Sequence, residues 1–218
     1  MKFRAAIFDL DGTLLDTLED LADAVNMTLH NSGYPRHDVS AYRYFIGDGI
    51  ETLVKRALPE SCRQKASVRK HVVAVREEYA GRWANKTRPY DGIPELLSKL
   101  MNHGIDLAVC SNKPEGPARE LMKLLLPEFE FKIIMGASPT VPPKPDPTGA
   151  VEIAGRLGVD KDAVFFIGDS GVDMITARLA GMYGVGAQWG FRTADELISS
   201  GAGIVVNTPF DLLPWIEG

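Results

Sequence analysis

Short, largely apolar runs that stop abruptly at polar or loop-forming residues set the strongest limit on how this chain can fold. Ala6–Phe8, Ile105–Cys110, Phe131–Met135 and Ala163–Ile167 are of strand length, and each ends at a carboxylate, a hydroxyl or a glycine- or proline-bearing loop. Such runs read as buried parallel strands, whose sequence is apolar because both faces of the sheet are covered. Tyr183–Ala187 reads as a weaker strand and Gly203–Val206 as an edge strand. Between them the apolar spacing is helical. Leu96, Leu97, Leu100 and Met101 mark one helix, with Pro94 near its start and Gly104 past its end. Leu121, Leu124 and Leu125 mark a second, Val151–Leu157 a third, and Ile175 with Leu179 a fourth. Strands alternating with helices imply a parallel sheet with right-handed crossovers.

The first strand stands apart from the others. Thr17 reads as the cap of a helix, with Asp20 in the capping-box position, and Leu18, Leu21, Ala22, Val25 and Leu29 follow at helical spacing until Ser32-Gly33. Ile50, Leu53, Val54 and Ala57, then Val68, Val72, Val75 and Tyr79, continue the helical pattern as far as Trp83. The expected architecture is α/β: a three-layer, Rossmann-like parallel sheet core from residues 1–16 and 88–218, with an all-helical cap domain, residues 17–87, inserted after the first strand.

The polar clusters follow the strands. Asp9 and Asp11 come after the first, Ser111 and Asn112 after the second, Lys144 after the third, and Asp169 with Asp173 after the fourth. In a parallel sheet these ends share one edge, where ligands bind. Asp9 and Asp11, two apart, can point into one site. Gly12 permits the sharp turn, whose N–H groups can receive an oxyanion, although a strand cap followed by a turn accounts for the same residues. Lys144 lies in Pro142-Pro143-Lys144-Pro145-Asp146-Pro147, where the prolines fix several φ angles and stiffen the loop. Asp146-Pro147 reads as a helix cap and first helical residue. Asp173, four beyond Asp169, shares a helix face with it if the helix has begun. No nucleophile elbow surrounds Ser111.

Composition excludes several other classes. Of 218 residues, 24 are basic and 29 acidic, a formal net charge of −5, which argues against nucleic acid or an anionic membrane as partner. Lys2 and Arg4 precede only four apolar residues before Asp9, so no leader is expected, and no run approaches membrane-spanning length. Cys62 and Cys110 read as two buried thiols of a cytoplasmic protein. His30, His37, His71 and His103 show no metal-ligand spacing. Trp189, Gly190 and Phe191 read as loop packing beside the strand ends.

Phe8-Asp9-Leu10-Asp11-Gly12-Thr13-Leu14 resembles the nucleophile motif of the haloacid dehalogenase-like superfamily of phosphatases and phosphomutases. Ser111, Lys144 and Gly168-Asp169-Ser170-Gly171-Val172-Asp173 resemble its later motifs, in the same order. The resemblance implies that Asp9 accepts the phosphoryl group and that Asp11 is the general acid and base, its backbone carbonyl helping to hold a metal. It also implies Mg²⁺ on Asp9, Asp11 and Asp169, with Asp173 in an outer or secondary role. Ser111 would donate to phosphoryl oxygens, assisted by Asn112, Gly12 and Thr13, while Lys144 offsets charge. A dehalogenase of this fold would need neither Asp11 nor the metal.

In the cap, Tyr42 to Gly49 and the stretch Leu53–Leu58 are similar to the lid of phosphoglycolate phosphatases. Arg43 is a candidate contact for a substrate carboxylate, as are the amides after Gly47 and Gly49, although a helix–helix turn is itself a sufficient account of the glycines. The expected activity is hydrolysis of a small phosphorylated metabolite, phosphoglycolate first, by a monomer or homodimer. Pyrophosphatase, sugar phosphatase and β-phosphoglucomutase-like activities share this machinery. A phospho-acceptor switch is the rival outside enzymology. A nucleotide-binding redox domain is disfavoured, since no Gly-x-Gly-x-x-Gly follows the first strand.

Overall fold

The computed structural model describes residues 3–217; Lys2, weighed above against a leader, lies outside them. In chain order the elements are β1 (Ala5–Phe8), β2 (Leu15–Asp16), α1 (Leu18–Asn31), α2 (Tyr42–Phe45), α3 (Ile50–Ala57), α4 (Lys65–Ala80) and β3 (Arg88–Pro89). There follow α5 (Ile93–Asn102), β4 (Asp106–Pro114), α6 (Glu115–Leu125), β5 (Phe131–Ala137), α7 (Thr148–Leu157), β6 (Val164–Gly168) and α8 (Gly171–Ala180). The last are β7 (Tyr183–Ala187), α9 (Ala194–Ser199), β8 (Ile204–Val206) and α10 (Pro214–Glu217). Contacts divide the chain into two units, one of residues up to Leu15 and from Pro89 on, the other Asp16–Arg88. None of the described helices is long and apolar enough to cross a membrane.

In the first unit six parallel strands stand in the order β5-β4-β1-β6-β7-β8. The chain winds outward from β1 through β4 to β5, then returns to β1's other side for β6, β7 and β8. The gap between β1 and β6 is therefore the topological switch point of a doubly wound sheet. Alternation of side chains divides the core between two faces. Ala5, Ile7, Ala108, Cys110, Ile133, Met135, Val164 and Phe166 pack with Ala150, Ile153 and Ala154 of α7 and Ala177 and Ala180 of α8. Ala6, Phe8, Leu107, Val109, Phe165 and Ile167, in the opposite phase, are equally buried. The helices α5 and α6 contact β4, and each buries an apolar stripe. β1 pairs Ala5 with Asp106 and Val164, and Phe8 with Val109 and Ile167, a register in which every residue of the strand is buried.

That register also aims Asp9. Its amide donates to Ile167 O at 2.8 Å, extending the ladder one residue, so Asp9 stays in phase with Ala5 and Ile7 on the α7/α8 side. The strand β4 runs further than the expected Ile105–Cys110, because Ser111 and Pro114 still pair with Gly136 and Ala137. The short β2, β3, α9 and α10 were not among the expected elements.

In the second unit α1 packs on α4 and α4 on α3, burying Leu21, Val25, Leu53, Val54, Val72 and Val75. The capping box expected at Thr17 and Asp20 does not form. Thr17 has φ −102° and ψ 3°, outside the extended region a capping side chain needs, and its Oγ1 is buried without a partner among the described residues. Asp16 Oδ1 takes the Leu18 amide instead, at 3.3 Å. The buried Asp20 carboxylate accepts from Lys86 N, Thr87 N and Thr87 Oγ1, at 3.0, 2.9 and 2.7 Å. It ties the returning chain to α1. The expected pair of buried thiols is corrected for Cys62, which is only partly buried; both cysteines are free.

Candidate active site

Asp9 is buried at the end of β1, and Lys144 Nζ lies 2.7 Å from its Oδ1 and 2.6 Å from Asp173 Oδ1. The ammonium therefore joins two carboxylates that arrive on different elements. Asn112 fixes it from behind: Lys144 N donates to Asn112 Oδ1 at 2.7 Å, and Asn112 Nδ2 donates to Lys144 O at 3.1 Å. The sequence placed Asn112 among the phosphoryl-oxygen donors; the structure engages both ends of its amide with Lys144's backbone. Asp173 is equally occupied. Its Oδ2 accepts from Ser170 N at 3.1 Å and Ser170 Oγ at 2.6 Å, reaching back from the first turn of α8 in capping-box manner. Gly168 makes room for this, since a Cβ there would collide with Asp173's side chain.

Burial pushes the Asp9 carboxyl up to about 7, against the opposing pull of Lys144. For Lys144 burial alone would favour the neutral amine, but Asp173 and Asp9 outweigh it and hold the ammonium above the usual lysine range. Burial also pushes the neighbouring Cys110 thiol up to about 12.

Asp169 follows β6 across the switch point. Its Oδ1 accepts from Thr13 Oγ1 at 3.3 Å and its Oδ2 from Phe191 N at 2.7 Å. Gly12, at φ +92°, and Gly190 both lie where a Cβ would strike the Asp169 side chain. Trp189 Nε1 donates to Thr13 O at 3.0 Å, so the Trp189–Phe191 loop, read from sequence as packing, holds the groups that orient Asp169. In the turn after β1, Gly12 N donates to Leu15 O and Thr13 N to Leu10 O, so these two amides are engaged within the turn. Among the described residues, no backbone carbonyl outside the helices and strands is seen to accept from the Leu10 or Asp11 N–H.

Asp9, Asp169 and Asp173 place ligand oxygens within 4.8 Å of one another, all buried. Asp173 is spent on Lys144 and Ser170, whereas Asp169 accepts from the Thr13 hydroxyl and the Phe191 amide. Burial, with Asp173 and Asp9 nearby, drives its carboxyl well above the usual range, against the opposing pull of the Phe191 amide and Arg192. This oxygen-only, acidic donor set fits a hard divalent cation, which Asp9 and Asp169 could hold. The Asp11 side chain is not in this cluster.

Asp11 is instead grasped by a residue that the sequence reading passed over. Lys113 Nζ lies 2.9 and 3.0 Å from the two Asp11 oxygens. The signal was present in Ser111-Asn112-Lys113-Pro114, a second cation at a functional strand end, but the partner lies 102 residues away. Ser111, buried, accepts from Lys113 N at 3.2 Å through its hydroxyl, which as a donor keeps its own proton to give.

The sequence model of the haloacid dehalogenase-like hydrolase family matches residues 6–187, from β1 to the end of β7. The chain belongs to the haloacid dehalogenase-like hydrolases. Within this family it is similar to the phosphoglycolate phosphatase of Rhodospirillum rubrum, 33% identical over 98% of this chain and 90% of that one. The phosphoglycolate phosphatase of Aquifex aeolicus is 30% identical, over 98% and 97%. A solved structure from Lactobacillus delbrueckii subsp. bulgaricus, provisionally named a phosphoglycolate phosphatase, superposes with a TM-score of 0.93 at 32% identity, over 99% of both chains.

Of the expected site residues of this hydrolase, Asp9, Asp11, Gly12, Thr13, Ser111, Asn112, Lys144, Asp169 and Asp173 all lie in the sheet unit and are linked by the contacts above. Arg43, Gly47 and Gly49 belong to the helical unit. Arg43 is exposed on α2, and Gly47 and Gly49 have φ of 120° and 81°. Arg56 Nη1 fixes the turn between them, 2.6 Å from Asp48 Oδ2 and 3.2 Å from Phe45 O.

Proposed function

We propose that this hydrolase is a Mg²⁺-dependent phosphatase that transfers the phosphoryl group of a small monoester to Asp9 and then to water. The observation that carries the reading is the buried carboxylate of Asp9, held by Lys144 and facing Asp169 at the switch point. An Asp9 oxygen bonds to phosphorus as the bond from phosphorus to the ester oxygen breaks, and the Asp11 carboxyl gives its proton to the departing oxygen. Asp11, now a carboxylate, takes a proton from water. The water oxygen bonds to phosphorus, the bond to Asp9 breaks, and inorganic phosphate leaves. Ser111 and the amides of Leu10 and Asp11 donate to phosphoryl oxygens, where charge builds. Mg²⁺ on Asp9 and Asp169 supplies the positive charge that lets one anion approach another.

Phosphoglycolate is the proposed substrate, supported by the names of the relatives in Rhodospirillum rubrum and Aquifex aeolicus. The setting is cytoplasmic and the working form a monomer or homodimer. The test is phosphate release from a panel of phosphoglycolate, pyrophosphate, sugar phosphates and nucleotides, with and without chelator. Turnover should be reversibly lost in EDTA, and Asp9→Asn should remove it while the thermal melt stays native-like. Activity of Asp9→Asn would remove the nucleophile, unchanged activity in EDTA would remove the metal, and a long-lived phosphoprotein without turnover would favour a phospho-acceptor switch.

A further inference from the structure

We propose that Lys113 is a positioning residue that fixes the carboxylate of Asp11, presented to it by a bulge at the end of β4. Ser111 pairs with Gly136 and Pro114 with the adjacent Ala137, so β4 carries two residues, Asn112 and Lys113, with no counterpart on β5. Extra residues leave the alternation of a strand and can be aimed where a regular strand could not point them. Here they are aimed at two different targets. Asn112 takes the backbone of Lys144, and Lys113 takes the side chain of Asp11.

The bulge is tightly held. A Cβ on Gly136 would collide with Glu115 N and Lys113 O, so β5 meets the bulge backbone with nothing between. Lys113 N is tied to Ser111 Oγ at 3.2 Å. The ion pair itself is far from a surface pair, the two side chains being 7% and 15% exposed. Exposed pairs are weak because water competes and two long side chains must be ordered; here burial limits that competition at the cost of desolvating both charges, and the fixed backbone lowers the ordering cost. Contact with both carboxylate oxygens restrains rotation as well as position. This matters for the proposed function, on which the inference rests, because Asp11 must meet a departing ester oxygen and then a water. A group misplaced by about 1 Å costs on the order of 10²-fold in rate.

The test uses the full chain with Mg²⁺, phosphoglycolate as an alkyl ester, and 4-nitrophenyl phosphate, whose leaving group departs without a proton. Lys113→Met should lower kcat on phosphoglycolate by about 10²-fold with KM within about threefold of wild type. For 4-nitrophenyl phosphate, kcat/KM reports only the first transfer and should stay within about threefold. Lys113→Arg, whose guanidinium can also span a carboxylate, should restore most of the lost kcat. Equal losses on the two esters would overturn the proposal, as would an effect confined to KM, which would make Lys113 a substrate contact. An arginine variant as impaired as the methionine variant, with both melting normally, would overturn it too. Should Lys113→Met not fold, the same comparison of esters in Lys113→Arg decides: any loss must fall on phosphoglycolate alone. Wild-type chain inactive on both esters would instead dismiss the phosphatase reading beneath.

Discussion

Asn112→Ala separates the two tasks this residue could perform. The side chain makes two hydrogen bonds to the backbone of Lys144, at 2.7 and 3.1 Å, and alanine removes both. At a net ~1 kcal/mol each, the loss is about 2 kcal/mol. In a chain of 218 residues, about 2–4 °C of Tm accompanies each kcal/mol, so the melt should fall by about 4–8 °C. The catalytic effect runs through Lys144. Its Nζ contacts Asp9 and Asp173 at 2.7 and 2.6 Å, distances that leave no slack. Release of the backbone behind it lets the ammonium drift, and drift of about 1 Å should lower kcat on the order of 10²-fold. The assay is steady-state phosphate release with saturating Mg²⁺, beside a thermal melt of the same preparation. The expected signature is a lower Tm and a lower kcat, with KM little changed. A raised KM with kcat and Tm intact would refute the reasoning, since it would make Asn112 a direct holder of substrate and the clamp irrelevant.

Two further substitutions test the frame around that centre. Gly12→Ala places a side chain at φ +92° and into the Asp169 carboxylate, so about 1–3 kcal/mol of stability should be lost and Mg²⁺ affinity should fall by about 10–100-fold; calorimetric titration reads the second, and wild-type affinity would contradict the contact. A double-mutant cycle of Asp20→Ala and Thr87→Val, followed by urea unfolding, should give a coupling of about 1.5–3 kcal/mol for the 2.7 Å bond, whereas additive effects would return Asp20 to the role of an ordinary helix-start acid.

The sheet could be read from sequence because its information is local. Runs such as Val164–Ile167 are apolar throughout, and the stop after each is marked by Asp, Ser or Gly, so the strand ends and their convergence followed without knowledge of pairing. Two-residue strands such as β2 and β3 are too short to show any period. The same limit applies to α9, whose six residues were hidden although Thr193 Oγ1 caps it by accepting from Glu196 N at 3.3 Å. The bulge in β4 is invisible for a different reason. Nothing in Ser111-Asn112-Lys113-Pro114 states that β5 advances only one residue, from Gly136 to Ala137, while β4 advances three.

Polar side chains divide along the same line. Thr17 and Asp20 fit a capping box by spacing, and Asn112 fits an anion contact by position, yet each local reading assumes that the nearest donor or acceptor is still available. In the folded chain Asp16 takes the Leu18 amide, and Asp20 reaches residues 66 and 67 positions on. Lys144, 32 positions on, similarly claims Asn112, and Asp11, 102 positions back, claims Lys113. Each of these partners is brought near by the burial of apolar residues in its own unit. The sheet's core therefore decides which of several chemically equivalent pairings a carboxylate or amide makes. Sequence alone supplies the chemistry at a strand end, and the fold sets which partners that chemistry meets.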